Sequence, residues 1–267
     1  MITELKYSST NTYLVTGTGG SLLFDTGWAG TFPLLCRALG EKKLRLQDVD
    51  YLIISHFHPD HTGIAGQIAQ AGVTVIAADV QREHLHDADR ILMREKDKGF
   101  VSVDDQAVRT VAISESRSFL GEIGINGELI HTPGHSDDSI SLWLEDEKAL
   151  LVGDLNPLYE LEMHKGTLIG ESWKRLLALK PAKVYYGHAR PAVIERGLFG
   201  RQKPVNTDIY ALVKQIVRLT DKGCSVSEIA DKTGADETFI TDAIRMYVTH
   251  PGVSVQGILD RIEIKGR

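Results

Sequence analysis

Apolar positions fall into short unbroken runs over the first three quarters of the chain and into a three-and-four spacing over the last quarter. Tyr51-Leu52-Ile53-Ile54-Ser55 is one such run, and with 12–16, 21–25 and 73–77 it predicts buried β-strands. Helical patterns fall at about 31–40, 61–71 and 79–96. Strands return at 128–132, 139–144, 148–153 and 183–186, with a helix at about 171–179. Two runs of strands separated by helices predict an α/β fold of two packed sheets with outer helices.

Beyond Lys203-Pro204 the pattern turns helical. Residues 208–217 carry apolar side chains on a helical repeat. The segments 227–234 and 236–245 read as a helix-turn-helix with Gly234 at the turn, and 253–264 reads as a β-wing. The expected organisation is therefore a domain over 1–200 and a small helical, winged-helix-like domain over 201–267.

Composition narrows the function classes. The chain has 267 residues, enough to bury about three quarters of its unfolded surface. Its net charge of −6 gives no global electrostatic case for nucleic acid or an anionic membrane. No apolar run approaches the length of a membrane span, and the start lacks a signal-peptide core, so a cytoplasmic location is expected. Cys36 and Cys224 stand far apart in segments that read as helical, which argues against a disulfide framework. From 201 to 267 there are ten Lys+Arg against nine Asp+Glu, and 236–245 carries Asp236, Glu237 and Asp242 against Arg245 alone. A DNA-reading helix needs basic phosphate contacts, so DNA is not the expected partner. A small-molecule substrate is, with a homodimer through the last domain as one compatible assembly.

The chemistry is concentrated in His56-Phe57-His58-Pro59-Asp60-His61, four metal-ligand side chains within six residues directly after an apolar run. Three later runs end in a ligand type: Pro133-Gly134-His135, Val152-Gly153-Asp154 and Tyr186-Gly187-His188. Singly, each reads equally well as a turn, and Asp60 as a helix N-cap. As an ordered set they point to a site built from imidazole and carboxylate, which zinc, manganese and iron all accept.

With these residues the chain resembles the metallo-β-lactamase-fold hydrolase superfamily, over roughly 1–200. Asn11-Thr12-Tyr13-Leu14-Val15 and Ser21-Leu22-Leu23-Phe24-Asp25-Thr26-Gly27 resemble that fold's opening hairpin. The resemblance implies an αββα sandwich with one metal on His56, His58 and His135. It places a second on Asp60, His61 and His188, with Asp154 bridging both. Asp25 resembles the acid that orients a ligand histidine, although a plain turn aspartate is an equal reading. The implied cofactors are two divalent ions, zinc first, with manganese or iron as alternatives. The implied reaction is hydrolysis by a hydroxide shared between them, with Asp60 and Asp154 carrying protons.

Within that superfamily, Asp154 argues against a β-lactamase, and His131-Thr132-Pro133-Gly134-His135-Ser136 looks most like glyoxalase II-type thioesterases and lactonases. A carboxyl ester, thioester or lactone is therefore the expected substrate. The alternatives are a phosphodiesterase, a mononuclear iron oxygenase and a ligand-sensing winged-helix DNA-binding regulator. The chain departs from the thioesterase pattern at Ser136-Asp137-Asp138-Ser139, where two acids would either disfavour an anionic substrate or be solvated. Trp28, Tyr159 and His164 are weaker substrate-contact candidates, each competing with a packing role. Tyr159 in particular could donate to a developing oxyanion. His84 and His86 read as surface residues and His250 as a helix end.

Overall fold

Apolar runs in this chain become strands because both of their faces are covered. The computed structural model describes residues 1–94, 99–194, 207–249 and 253–265. Strands β1 (Ile2–Leu5), β2 (Thr12–Thr16), β3 (Ser21–Phe24), β4 (Tyr51–Ile53), β5 (Thr74–Ala78) and β6 (Val108–Val111) form one sheet in sequence order. The pairs from β1 to β3 are antiparallel, and those from β3 to β6 parallel. Strands β7 (Gly127–His131), β8 (Ile140–Leu144), β9 (Ala149–Leu151), β10 (Lys183–Tyr185) and β11 (Ala192–Val193) form the second, ordered β11-β10-β9-β8-β7. There β9 and β10 pair parallel and the other neighbours antiparallel.

Helices α1 (Phe32–Glu41), α2 (Pro59–Thr62), α3 (Ala65–Gln70), α4 (Asp89–Leu92), α5 (Ser116–Glu122) and α6 (Leu168–Ala178) accompany the sheets. Alternation within each strand builds the layers. Leu23, Leu52, Ile54 and Val75 pack outward on Leu35 and Leu39 of α1 and Ile68 of α3. Leu22, Phe24, Ile53 and Ile76 point the other way and meet Leu129, Leu142 and Leu151 of the second sheet. Trp143, Leu150 and Val184 cover that sheet's far face together with Trp173 and Leu176 of α6. The result is helix, sheet, sheet, helix, as the resemblance implied.

Two expected helices take another form. The pattern over 61–71 divides into α2 and α3, because the His61 carbonyl accepts from Thr26 N (3.0 Å) and Thr26 Oγ1 (2.7 Å). The pattern over 79–96 becomes a 3₁₀ segment, Asp79–His84, and the short α4, with 95 and 96 outside the described residues. Gln81 accounts for this: fully buried, it donates to Ile54 O (2.9 Å), Ser55 O (3.2 Å) and Asp138 O (3.2 Å).

The C-terminal region holds α7 (Thr207–Asp221), α8 (Val226–Thr233), α9 (Glu237–Thr249) and α10 (Val255–Lys265) around Val213, Ile216, Ile229, Ile240 and Ile258. Ser225 and Glu228 form a capping box at the start of α8, and Gly234 ends it with a left-handed φ of 70°. Asp236, one of the acids that argued against DNA, accepts from the backbone N–H of Thr238 and Phe239 and starts α9. The expected β-wing is instead α10. Its β-branched residues suggested a strand, but Val255, Ile258, Leu259 and Ile262 fall at helical spacing on the apolar cluster. Ser254 Oγ accepts from Gly257 N at 3.0 Å and caps the turn. The boundary at 200/201 and His250 lie outside the described residues. No helix among the described residues is long and apolar enough to cross a membrane.

Leu151 is fully buried between the sheets. Leu151→Ala is expected to lower stability by about 2–5 kcal/mol in urea unfolding, and a loss below ~1 kcal/mol would mean that this interface is not close-packed.

Candidate metal centre

Strands β3 and β4 run parallel in one sheet, as do β7, β9 and β10 in the other, and the ligand types follow their carboxyl ends. Asp25 follows β3, the His56–His61 segment β4, His135 β7, Asp154 β9 and His188 β10. Carboxyl ends are where open α/β sheets leave side chains free to converge. Backbone bonds hold these ends together: Asn11 N donates to Gly187 O (2.8 Å), Gly187 N to Gly153 O (2.7 Å) and Ile140 N to Ser55 O (2.8 Å). The glycine before His188 has a steric reason. A Cβ on Gly187 would stand 2.5 Å from Asp154 Oδ1 and 2.9 Å from His61 Cε1.

All seven expected ligands come together. His56, His58 and His135 form one group of donor atoms, Asp60, His61 and His188 another, and Asp154 groups with His56 and His61, the atoms of each group within 4.8 Å of one another. Asp60 is not an N-cap; His58 precedes α2, and the Asp60 carboxylate lies 2.9 Å from His188 Nε2. The Asp154 oxygens divide between the groups. Oδ1 is 3.2 Å from His61 Nε2 and 3.4 Å from His188 Nε2, while Oδ2 is 3.5 Å from His135 Nε2.

The donor set fits divalent cations on its own chemistry. His56 Nδ1 meets Ser55 Oγ (3.0 Å), His61 Nδ1 meets Asp25 Oδ2 (3.1 Å), and His188 Nδ1 donates to Ser9 O (2.8 Å). The Nδ1 atoms of His56 and His188 are hydrogen-bonded, His61 Nδ1 stands beside the Asp25 carboxylate without a hydrogen bond, and the Nε2 atoms face the centre. Among the described residues, His56 Nε2 is buried without a hydrogen-bond partner. His58 Nδ1 faces His135 Nε2 at 3.0 Å, and His61 Nε2 faces His188 Nε2 at 3.3 Å. His61 is fully buried and His188 half-buried, and nitrogens facing one another out of water are costly unless something cationic lies between them. Donors about 2.0–2.1 Å from one tetrahedral ion stand at such separations.

Electrostatics agrees. Burial, then the nearby His61 charge, holds His56 well below the ordinary imidazole range, in the neutral ligand form. Burial opposes a proton on His61, yet Asp154, Asp25 and Asp60 override it and hold this group well above its usual value. Burial likewise opposes ionisation of Asp154 and Asp60, but the histidines prevail. Asp154 lies well below the carboxylate range, and Asp60 falls to about 2. The carboxylates that would fix a proton here would fix a metal cation equally.

Other expected residues are not among the grouped donor atoms. Tyr159 donates to Asp260 Oδ2 at 2.9 Å, which commits the hydroxyl expected to meet an oxyanion to α10. Burial, then Asp260, pushes its pKa up and keeps that proton in place. His164 is half-buried, and among the described residues no hydrogen bond or ring contact joins it to the cluster. Trp28 is exposed in the loop after Asp25. His84 pairs with Asp87, and His86 with Asp89 and Asp105, at the surface. Asp137 is exposed, but Asp138 is buried and accepts from Phe57 N at 2.7 Å. That makes Asp138 a backbone clamp between His56 and His58 rather than a loop charge. Asp25 Oδ1 provides the matching clamp, on Ser55 N at 2.6 Å. A single buried side-chain-to-backbone bond has no sequence signature, and only the position of Asp138 three residues after His135 hinted at a role.

The family model for the metallo-beta-lactamase superfamily matches residues 6–188. The chain belongs to this superfamily. It is 29% identical over 193 residues to a Beta-lactamase-like protein 2 homolog of Caenorhabditis elegans, covering 67% of this chain and 55% of that one. It is 34% identical over 157 residues to an Atrochrysone carboxyl ACP thioesterase of Aspergillus fumigatus, covering 57% and 30%. The chain thus spans about half or less of the length of these relatives. Among solved structures, the metallo-beta-lactamase family protein TTHA1429 from Thermus thermophilus superposes with TM-score 0.56 and 20% identity, covering 100% of this chain and 93% of that one. TTHA1623 in a di-iron-bound form gives TM-score 0.55 and 22% identity, covering 77% and 100%. At these identities the structural likeness bears on the fold.

Two substitutions test the centre without touching a ligand. Asp25→Asn is expected to weaken metal affinity roughly 10- to 100-fold in chelator competition, by removing the carboxylate that lies 3.1 Å from His61 Nδ1. Gly187→Ala is expected to weaken it at least as much by displacing Asp154 and His61. Unaltered affinity in both would mean that the ligands need no such support.

Proposed function

We propose that this superfamily member is a dinuclear metal-dependent hydrolase acting on a carboxyl ester, thioester or lactone. The observation that carries the dinuclear reading is Asp154, whose oxygens face two separate nitrogen clusters. Five imidazoles and two carboxylates suit zinc first, with manganese and iron as the competitors to be tested. Bound there, two divalent ions would lower the pKa of a water toward neutrality and polarise the scissile carbonyl.

The chain's own residues supply the rest. Asp60 and Asp154 stay ionised at neutral pH, held low by the surrounding histidines. Either carboxylate can take a proton from the attacking water and return it to the leaving oxygen or sulfur. Asp60 is steadied in that role by Thr10, whose hydroxyl donates to the Asp60 carbonyl at 2.7 Å. Exposed apolar side chains follow two of the ligands in the chain: Trp28 comes three residues after Asp25, and Met163 and Leu168, the first residue of α6, come after Asp154. Helix α6 packs on the turn before His135, where Ser172 Oγ donates to Pro133 O at 2.8 Å. Substrate contact with these side chains would favour an acyl chain over a phosphodiester backbone. The thioesterase name of one relative supports the same class.

Reconstitution separately with zinc, manganese and iron, followed by a panel of aryl ester, thioester, lactone and bis-aryl phosphodiester, tests this reading. Acyl substrates are expected to be favoured, with kcat/KM falling by roughly 10³-fold or more in His58→Ala. Preference for the phosphodiester, or oxygen consumption by the iron form without hydrolysis, would overturn it.

A further inference from the structure

We propose that Ser9-Thr10-Asn11, the segment leading into β2, is a bracket that selectively builds the second metal position, made of Asp60, His61 and His188. Thr10 and Asn11 act in it as positioning residues. This role rests on the dinuclear reading above and deepens it, by naming what sets the affinity of one position apart from the other.

The second position is divided between the sheets. Asp60 and His61 follow β4 of the first sheet, and His188 follows β10 of the second. Ligands carried by separate sheets share an ion well only when their supports are fixed relative to each other. Residues 9–11 reach both. Thr10 is fully buried, and its hydroxyl donates to the Asp60 carbonyl at 2.7 Å and lies 3.5 Å from Asp60 Oδ2. One residue earlier, the Ser9 carbonyl accepts from His188 Nδ1 at 2.8 Å. That bond sets the ring, whose Nε2 stands 2.9 Å from Asp60 Oδ2.

Asn11 holds the turn that carries His188. It is buried; its Nδ2 donates to Tyr186 O at 2.9 Å and to Ala189 O at 3.1 Å, and its backbone N to Gly187 O at 2.8 Å. Three carbonyls around one ligand thus accept from a single residue. Tyr13, two positions along in β2, adds a bond from its hydroxyl to Tyr186 O at 2.7 Å. A carboxamide suits this place because one nitrogen carries two N–H donors. Aspartate would turn only acceptors toward the two carbonyls, and serine would offer one donor. Buried carbonyls left without donors are costly, so the turn is held where Asn11 places it.

The first position is supported elsewhere. His56 and His58 follow β4, and His135 follows β7. There Phe57 N donates to Asp138 Oδ2 at 2.7 Å, and Ile140 N to Ser55 O at 2.8 Å. The bonds from residues 9–11 end on Asp60 and on the His188 turn, whereas those of Asp138 and Ile140 end on the stretch around His56. Each position therefore has its own bracket across the two sheets, and each can be loosened separately.

The test uses the full chain stripped of metal and titrated with cobalt(II), followed by visible absorption and by competition with a chelator. Thermal unfolding of the metal-free protein runs alongside. His58→Ala and His188→Ala identify the absorption of the first and second positions. Thr10→Val and Asn11→Ala are expected to weaken the second ion roughly 10- to 100-fold and to leave the first bound as in the unaltered chain. Thr10→Ser keeps the hydroxyl and is expected to bind both ions normally. Asp138→Ala is expected to show the reverse selectivity. A merely structural role would instead loosen both ions together as the unfolding temperature falls. Loss of both ions alike in Thr10→Val or Asn11→Ala, or a second ion bound normally by either, would overturn the bracket while the dinuclear reading stands. So would a Thr10→Ser protein that behaves as Thr10→Val. If Asn11→Ala does not fold, the Thr10 pair decides the matter alone. One ion per chain in the unaltered protein would overturn the dinuclear reading, and the bracket with it.

Discussion

Imidazole nitrogens facing one another at 3.0–3.3 Å, partly out of water, make an arrangement that neither solvent nor an apolar core would stabilise. The rest of the catalytic sandwich can be read as the means of holding them there. Parallel strands in each sheet bring their carboxyl ends to one edge, and close packing between the sheets fixes the edges relative to each other. Two buried carboxylates, Asp25 and Asp138, then grip the backbone on either side of His56 through Ser55 N and Phe57 N. Gln81 ties the same stretch to the Asp138 carbonyl. The ligand loop is thus fixed by its backbone, which leaves its side chains free for the metal centre.

The C-terminal helices have an apolar core of their own, yet their contacts with the sandwich are largely polar. Glu160 and Asp260 are both buried and both partnered across the seam. Such networks fix one register where apolar packing alone would tolerate several. Here the register matters because it determines what faces Asp154 and His188.

Much of the site is legible in the sequence for a physical reason. Imidazole and carboxylate are common metal ligands, and strand ends are where a sandwich can expose them, so His56, His58, Asp60, His61, His135, Asp154 and His188 stand out as candidates. The layers are legible too, since strands covered on both faces must be apolar throughout. Supporting residues are not. Asp138 looks like a loop charge, and Gln81 like a helix-surface residue, until the fold buries them. The misread wing has a similar origin. Val253, Val255, Ile258 and Ile262 have strand-forming side chains, but their spacing places Val255, Ile258 and Ile262 on one helical face, and Ser254 supplies the cap. Short edge strands such as β1 and β11 are set by pairing partners rather than by their own pattern.

The central claim is that one carboxylate, Asp154, joins two metal positions. The most direct measurement is the electron paramagnetic resonance spectrum of the chain loaded with manganese(II), together with the metal content per chain. The account predicts two ions per chain and an exchange-coupled signal that gives way to isolated manganese in Asp154→Ala. One ion per chain, or two with an uncoupled spectrum in the unaltered protein, would contradict it.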